Sequence, residues 1–355
     1  MLCNKKVLVT GGAGFIGSNL SRTILDTGAS VDCVDSLITG RIESIDSLRS
    51  NKRFRYFKFD ITDRDFFNTF AKEHYDEIYH LACPTGVPNI QLYGEEMLKT
   101  CSIGTDNILR LACTHNAKVL YTSSAEVYGD PEVFPQHEEY CGNVHPTGPR
   151  SAYEEGKRFS ETLVRSYAEK YQIDAKIVRI FNTFGIGMSP DDTRVIPRFL
   201  KLIKEGKKIV IYGDGTQTRT HLYVDDLIAG LLMVQEKGCA GEVYNVGGDK
   251  QLTIADLAEL IKSLTTLNVD IEYQPHFIED HSGRQPMVSK VKELGWDRYI
   301  DVSEGLIRML PSYGVPVRDD VRDTLLDAVM KRELVEKQDA IIMHGEKKTA
   351  TGASV

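Results

Sequence analysis

Tyr153 and Lys157 lie one helical turn apart in the segment HPTGPRSAYEEGKRFSE, downstream of the glycine-bearing run VLVTGGAGFIGSN. An i, i+4 spacing puts the phenol and the ammonium on one helix face, where they can act as an acid–base pair. A free phenol titrates near ~10 and is a poor base at neutral pH. Tyr153 is therefore expected to work with a pKa lowered by Lys157 and by a cofactor's charge. Tyr-x-x-x-Lys also arises by chance on solvated helix faces, so the pair gains weight from its neighbours. One neighbour is the glycine loop. Another is TSSAEVYGD, where Ser124 ends a strand-like run and its hydroxyl can hydrogen-bond a substrate oxygen or simply cap the strand end. A nucleotide cofactor beside a phenol with a lysine beneath it suggests hydride chemistry.

The glycine loop indicates which cofactor. Gly11, Gly14 and Gly17 follow a strand-like run and open a helix-like one, with Phe15 and Ile16 between them. That arrangement allows a tight turn, admits a pyrophosphate and aims amide N–H groups at it from the positive end of a helix. A lone glycine triplet is weak, but one set between strand and helix is much stronger. Asp35 ends the second strand-like run, 18 residues after Gly17. There a carboxylate can accept both hydroxyls of an adenosine ribose and repel a 2'-phosphate, which favours NAD over NADP. Arg41 lies near enough in sequence to blunt that argument, and a surface carboxylate is the alternative for Asp35. Asp60, in FDITD, can face the adenine or form a turn. Ile61, Leu81 and Ala82, after the third and fourth strands, complete the expected cofactor-binding set with Tyr153 and Lys157.

These residues need a scaffold that brings strand ends together. VLVT, SVDCVD, FRYFKFD, EIYHLA, KVLYTSS and KIVRIFN read as strands, with helical periodicity between them, beginning with Phe15 to Asp26. Strands separated by helical crossovers imply a parallel sheet covered on both faces. The expected fold is α/β: a Rossmann-type, doubly wound parallel sheet with a smaller C-terminal α/β substrate lobe. Its expected divisions are 1–184, with some later segments returning to it, 185–312 mainly for the substrate lobe, and 313–355 as a charged helical tail with a frayed end. The 355 residues are 41% apolar, enough for a substantial core, and the net charge of −8 argues against nucleic acid. Seven cysteines without a C-x-x-C pair read as free thiols, and no metal site is expected. With no apolar run long enough to span a bilayer and no signal-peptide pattern, the chain is expected to be soluble and cytoplasmic.

The chain resembles the extended short-chain dehydrogenase/reductases that act on nucleotide sugars, over roughly residues 5–312. Within them it is most similar to the UDP-glucuronate decarboxylases, through EVYGDPEVFPQHEEYCGNVHPTGPRSAYEEGKRFSETL, RIFNTFGIGM, DTRVIPRF, YGDGTQTRTHLYVDDL and SGRQPMVSKVKELGW. The resemblance implies that Tyr153, assisted by Ser124, takes the proton of a sugar C4 hydroxyl while hydride passes from C4 to NAD. The resulting ketone is β to a uronate carboxylate, so carbon dioxide can leave; hydride then returns, giving UDP-xylose. Glu126 would lie near C5, though a polar residue at a strand end is the competing reading. Asn182, Arg194, Tyr212, Gln217, Arg219 and Arg284 would surround the uridine diphosphate, with Arg284 able instead to reach the reacting sugar. Helical segments at Glu95–His115 and Ala152–Tyr171 match the pair that meets across a homodimer interface in similar enzymes.

Three departures lie near the expected sugar site: Ala125 where decarboxylases usually carry serine, Gly187 in place of an arginine, and a different segment from Cys83 to Glu96. An NAD-dependent nucleotide-sugar 4-epimerase or 4,6-dehydratase is therefore the alternative. Ala125 counts against the dehydratase, whose mechanism uses an aspartate there. A non-catalytic NAD-sensing protein fits poorly with Ser124, Tyr153 and Lys157 occurring together.

Overall fold

In the computed structural model, residues 2–275 and 283–324 are described. β1 (Lys6–Thr10) is a near-continuous apolar run, buried from Val7 onward as a strand covered on both faces should be. It turns through the glycine loop into α1 (Phe15–Asp26), which ends at Thr27 and a left-handed Gly28 (φ 91°) and leads into β2 (Ser30–Asp35). The series continues with β3 (Phe54–Lys58), α2 (Phe66–Phe70), β4 (Glu77–His80), α3 (Val87–Leu92), α4 (Gly94–Lys99), α5 (Thr105–His115) and β5 (Lys118–Ser124). After a long connection come α6 (Ser151–Tyr171) and β6 (Ala175–Ile180).

The expected helix over Glu95–His115 is interrupted. Between α4 and α5 the chain makes a π turn, Thr100–Gly104. Gly104, its last residue, packs against the residues after β3: a Cβ there would sit 2.6 Å from Cδ1 of Ile61.

Past β6 the chain leaves the sheet and returns to it. β7 (Thr183–Phe184), α7 (Val195–Lys204), β8 (Ile209–Tyr212), β9 (Thr218–Thr220), β10 (Leu222–Tyr223) and α8 (Val224–Lys237) precede β11 (Val243–Val246), which pairs with β6. β12 (Gln251–Thr253), α9 (Ile254–Leu264), β13 (Ile271–Gln274), α10 (Ser289–Glu293) and α11 (Val302–Met309) follow. β7/β10 and β8/β13 form parallel pairs and β9/β12 an antiparallel one. Asp226 on α8 ties the last part down: its carboxylate accepts the amides of Tyr299 and Ile300, and its carbonyl accepts the Trp296 indole N–H at 2.9 Å. Residues 319–324 are helical; the rest of the expected charged tail, 325–355, lies outside the described residues.

The main sheet is seven-stranded, parallel throughout, in the order β11-β6-β5-β4-β1-β2-β3. One hydrophobic cluster joins α1, α7, α8 and α9 to one face, and another joins α2, α5 and α6 to the other. The strand order reverses between β1 and β4, and open α/β sheets bind ligands in the crevice at such a point. The turn after β1 and the residues after β4 meet there: a Cβ on Gly11 would lie 2.7 Å from the Ala82 amide nitrogen. Among the described residues no helix is long and apolar enough to cross a membrane.

Candidate active site

One cavity of about 980 Å³ opens along the C-terminal ends of the strands, and every site residue nominated from the sequence lines it. Gly11, Gly14, Phe15, Ile16, Gly17, Asp35, Asp60, Ile61, Leu81 and Ala82 form one end. Ser124, Glu126, Tyr153, Lys157 and Arg284 form the middle, and Asn182, Arg194, Tyr212, Gln217 and Arg219 the other end.

The glycine loop is shaped for a dinucleotide. A Cβ on Gly17 would come within 2.2 Å of the Gly11 carbonyl oxygen, so only glycine lets α1 pack this close to the loop. A Cβ on Gly14 would meet nothing but that same oxygen, at 3.2 Å, leaving the approach on that side clear. The first turn of α1 has no acidic residue and no side-chain cap, so its amide donors and dipole are available to an anion. Asp35 accepts the amides of Ala13 (3.0 Å) and Leu37 (2.8 Å), which fixes the carboxylate beside the loop while leaving lone pairs for ribose hydroxyls. Burial raises its pKa against those two bonds. Arg41 points elsewhere, to Ser189 at 3.2 Å and Glu43 at 3.6 Å. Asp60 accepts both the amide and the hydroxyl of Thr62 at 2.8 Å, so the turn-forming reading holds for one of its oxygens.

Tyr153 and Lys157 sit on the first turns of α6, packed against β5. Lys157 is 3% exposed and donates to the Thr122 carbonyl at 2.8 Å. Its ammonium lies 4.9 Å from the Tyr121 ring centroid and 5.8 Å from that of Tyr153. Burial opposes its charge, but the acidic groups around it, Tyr121, Cys83, Tyr153 and Cys101, hold its pKa well above the ordinary value. The Ser124 hydroxyl accepts the Glu126 amide at 3.3 Å as a cap, and it is near enough to the Tyr153 phenol to draw its pKa down.

The lowered Tyr153 pKa expected from the sequence is not met by the protein groups alone. Burial pushes the phenol up to about 12, and the opposing pull of Lys157 and Ser124 does not overcome it. Desolvation of an anion outweighs one ammonium at this depth, so further positive charge is needed beside the ring.

Glu126 is clasped by two guanidinium groups. Arg284 Nη1 reaches Oε1 at 2.5 Å and Nη2 reaches Oε2 at 3.0 Å, while Arg150 Nη2 also bonds Oε2. Burial would raise the Glu126 pKa, but Arg284 and Arg150 bring it down to about 2. Glu154, buried on α6, also reaches Arg150 Nε at 3.4 Å, so two guanidinium groups and two carboxyl groups meet here, and Glu126 adds to the upward push on the Tyr153 pKa. Sequence reasoning missed Arg150, although it stands three residues before Tyr153 at the N-cap of α6, on the turn that carries the phenol.

At the far end, Arg194 pairs with Asp192 at 2.6 Å, and Arg219 donates to the Thr218 carbonyl at 2.8 Å. Arg198, also missed, stacks over the Tyr212 ring at 5.0 Å, and Gln217 donates to the Tyr212 carbonyl at 3.3 Å. Oε1 of Gln217 and Nε2 of His221 are buried without a hydrogen-bond partner, as polar atoms that face a ligand are.

Residues 7–247 match the NAD dependent epimerase/dehydratase family. The chain belongs to that family. It is 39% identical over 303 residues to UDP-glucuronic acid decarboxylase 1 of Danio rerio, spanning 85% of this chain and 71% of that protein. It is 39% identical over 319 residues to UDP-glucuronic acid decarboxylase 6 of Arabidopsis thaliana, spanning 88% of this chain and 91% of the relative. Among solved structures, the UDP-glucose 4-epimerase of Thermotoga maritima with UDP-glucose superposes with a TM-score of 0.79 at 27% identity, covering 87% of this chain and 98% of that one. NAD is the cofactor of this family, and the glycine cradle, the uncapped start of α1 and the placement of Asp35 fit it.

Proposed function

We propose that this chain is an NAD-dependent UDP-glucuronate decarboxylase that forms UDP-xylose. The observation that carries the reading is the placement of two guanidinium groups, Arg150 and Arg284, on the cavity that Tyr153 lines, where their planar forks can take a uronate carboxylate in exchange for contacts now made to Glu126. The relatives named UDP-glucuronic acid decarboxylase, alike over most of their length, support the same substrate.

In this reading Tyr153 takes the C4 hydroxyl proton, Ser124 holds that oxygen, and Lys157 keeps positive charge beneath the phenol. NAD, held by the glycine loop and Asp35, would supply the acceptor and then the donor of the C4 hydride, and its oxidised ring would bring positive charge toward Tyr153. The 4-ketone lets the C5–carboxylate bond break with its electron pair entering an enolate, which the two arginines stabilise. A proton then replaces carbon dioxide at C5, with Glu126 and Arg284 nearest in this arrangement. Asp35, Asp60 and the glycine loop hold the adenosine and pyrophosphate; Asn182, Arg194, Tyr212, Gln217 and Arg219 hold the uridine diphosphate, where guanidinium suits phosphate.

The division into a cofactor domain to residue 184 and a sugar-nucleotide lobe from 185 to 312 belongs to the same proposal, as does a homodimer. Leu98 on α4, Ile103 in the π turn and Phe159 on α6 are large apolar side chains left 45%, 50% and 53% exposed, and they support pairing through these helices. A cytoplasmic setting, where seven free thiols stay reduced, completes the reading. The 4-epimerase alternative draws on the similarity to the Thermotoga maritima enzyme.

The deciding experiment mixes purified protein, NAD and UDP-glucuronate and follows the nucleotide sugar by mass spectrometry. Loss of carbon dioxide without net NADH is the expected result. An isomer of unchanged mass would instead make it an epimerase, and full turnover by Tyr153→Phe would remove the assigned base.

A further inference from the structure

Cys83 follows β4 and lines the cavity, while Cys101 lies in the π turn. Their sulfur atoms are 3.7 Å apart. The other cysteines stand apart from this arrangement: Cys3, Cys113, Cys141 and Cys239 are exposed, and Cys33 is sealed beneath Gly12, where a Cβ would come 2.4 Å from its sulfur. Cys101 is 2% exposed and held on two sides. Its carbonyl accepts the Ser160 hydroxyl at 2.6 Å, and a Cβ on Gly156, next to Lys157, would lie 3.3 Å from its sulfur. The Lys157 ammonium acts on both thiols, and the Cys83 hydrogen bond with that charge favours the Cys101 thiolate.

We propose that Cys83 and Cys101 are a redox-modification site, at which a hydroperoxide entering the cavity converts the two thiols into a disulfide and reversibly shuts the catalytic site. With hydrogen peroxide, each thiol gives up its proton and one electron. One S–S bond replaces two S–H bonds, the peroxide O–O bond breaks, and two water molecules leave. A disulfide requires about 2.05 Å between sulfurs, so the pair must close by about 1.7 Å. Cys101 is fixed by Ser160 and Gly156, so the movement falls on the loop that carries Leu81, Ala82 and Cys83. That loop lines the cofactor end of the cavity and touches the turn at Gly11, so closing the bridge displaces the floor on which NAD rests.

Two readouts test this, and the first needs no turnover. The full chain is treated with hydrogen peroxide, digested without reductant and mapped, and NAD binding is measured by calorimetry before oxidation, after it, and after dithiothreitol. A peptide pair joined through Cys83 and Cys101, with weakened NAD binding restored by dithiothreitol, is expected. The second readout, UDP-glucuronate turnover, rests on the proposed function; it should fall about a hundredfold with the linkage, the scale for a displacement of about 1 Å. Cys101→Ser and Cys83→Ser should each form no link and keep their own starting NAD affinity after peroxide. Failure to link at a dose that oxidises the exposed thiols, a link that leaves NAD binding unchanged, or equal losses in both serine variants would overturn the proposal. Absence of decarboxylation in the untreated protein would count against the proposed function alone.

Discussion

Lys157→Met removes an ammonium while keeping a side chain of similar reach. The charge lies 5.8 Å from the Tyr153 ring centroid and is almost wholly buried. At that separation and an effective dielectric of ~20, two unit charges interact by about 3 kcal/mol, equivalent to about two pKa units. Tyr153 already stands at about 12 with Lys157 present, so its removal moves the phenol further from neutrality. Phenolate is then about a hundredfold rarer at any pH below both pKa values. The assay is the rate of carbon dioxide release from UDP-glucuronate at saturating NAD, measured across neutral and alkaline pH. The rising limb should shift upward by about two pH units, with about a hundredfold loss at neutral pH that narrows as the solution becomes alkaline. The substitution also leaves the Thr122 carbonyl without its donor, so a fold defect must be told apart from a charge effect. A fold defect lowers the rate by the same factor at every pH. An unshifted profile would refute the role given to the ammonium.

Glu126→Gln probes the charge cluster through stability. The Glu126 pKa falls from 4.5 to about 2 on folding, a difference worth about 3 kcal/mol. Because the folded pKa is the lower one, that stabilisation is full above pH 4.5 and is lost as pH falls through about 2. Urea unfolding should show the variant weaker by about 3 kcal/mol at neutral pH and level with the parent in strong acid; a gap independent of pH would rule this out. Gly17→Ala forces a Cβ to 2.2 Å from the Gly11 oxygen and should cost about 1–3 kcal/mol in thermal melts, the usual range for overpacking. Gly14→Ala meets only one atom at 3.2 Å and should melt near the parent temperature yet bind NAD more weakly by calorimetry; equal effects from the two glycines would contradict their separate roles. Leu98→Asp combined with Phe159→Asp places charge on the exposed apolar face of α4 and α6 and should give monomers by light scattering; an unchanged mass would move the interface elsewhere.

The parallel sheet was legible because its signals are local. VLVT, the glycine loop and SVDCVD each carry their own pattern, and the expected spans Phe15–Asp26, Ser30–Asp35 and Lys118–Ser124 coincide with α1, β2 and β5. The π turn was not legible, and the close packing of its Gly104 on Ile61 joins residues far apart in the chain, where no local pattern signals it. Site residues followed the same rule. Tyr153, Lys157 and Ser124 stand in short motifs and do converge. The clasp on Glu126 and the approach of Cys83 to Cys101 depend on contacts across the fold, which no spacing announces.

The sign of the Tyr153 shift marks where that limit matters for chemistry. Motif reading supplies the ammonium and its helical spacing, and from these alone the phenol should be acidified. Burial has no motif. It arises because the half-buried phenol lines the cavity along with residues of β5 and of the loop after β4, and it drives the pKa the other way. A base that stays neutral until further positive charge arrives cannot pull a proton before the cofactor is bound. In the proposed reaction the upward push on Tyr153 favours NAD being bound before the sugar hydroxyl is deprotonated. That order would make the glycine loop part of the acid–base machinery, because the pyrophosphate it is shaped to hold tethers the nicotinamide ring whose positive charge the phenol needs.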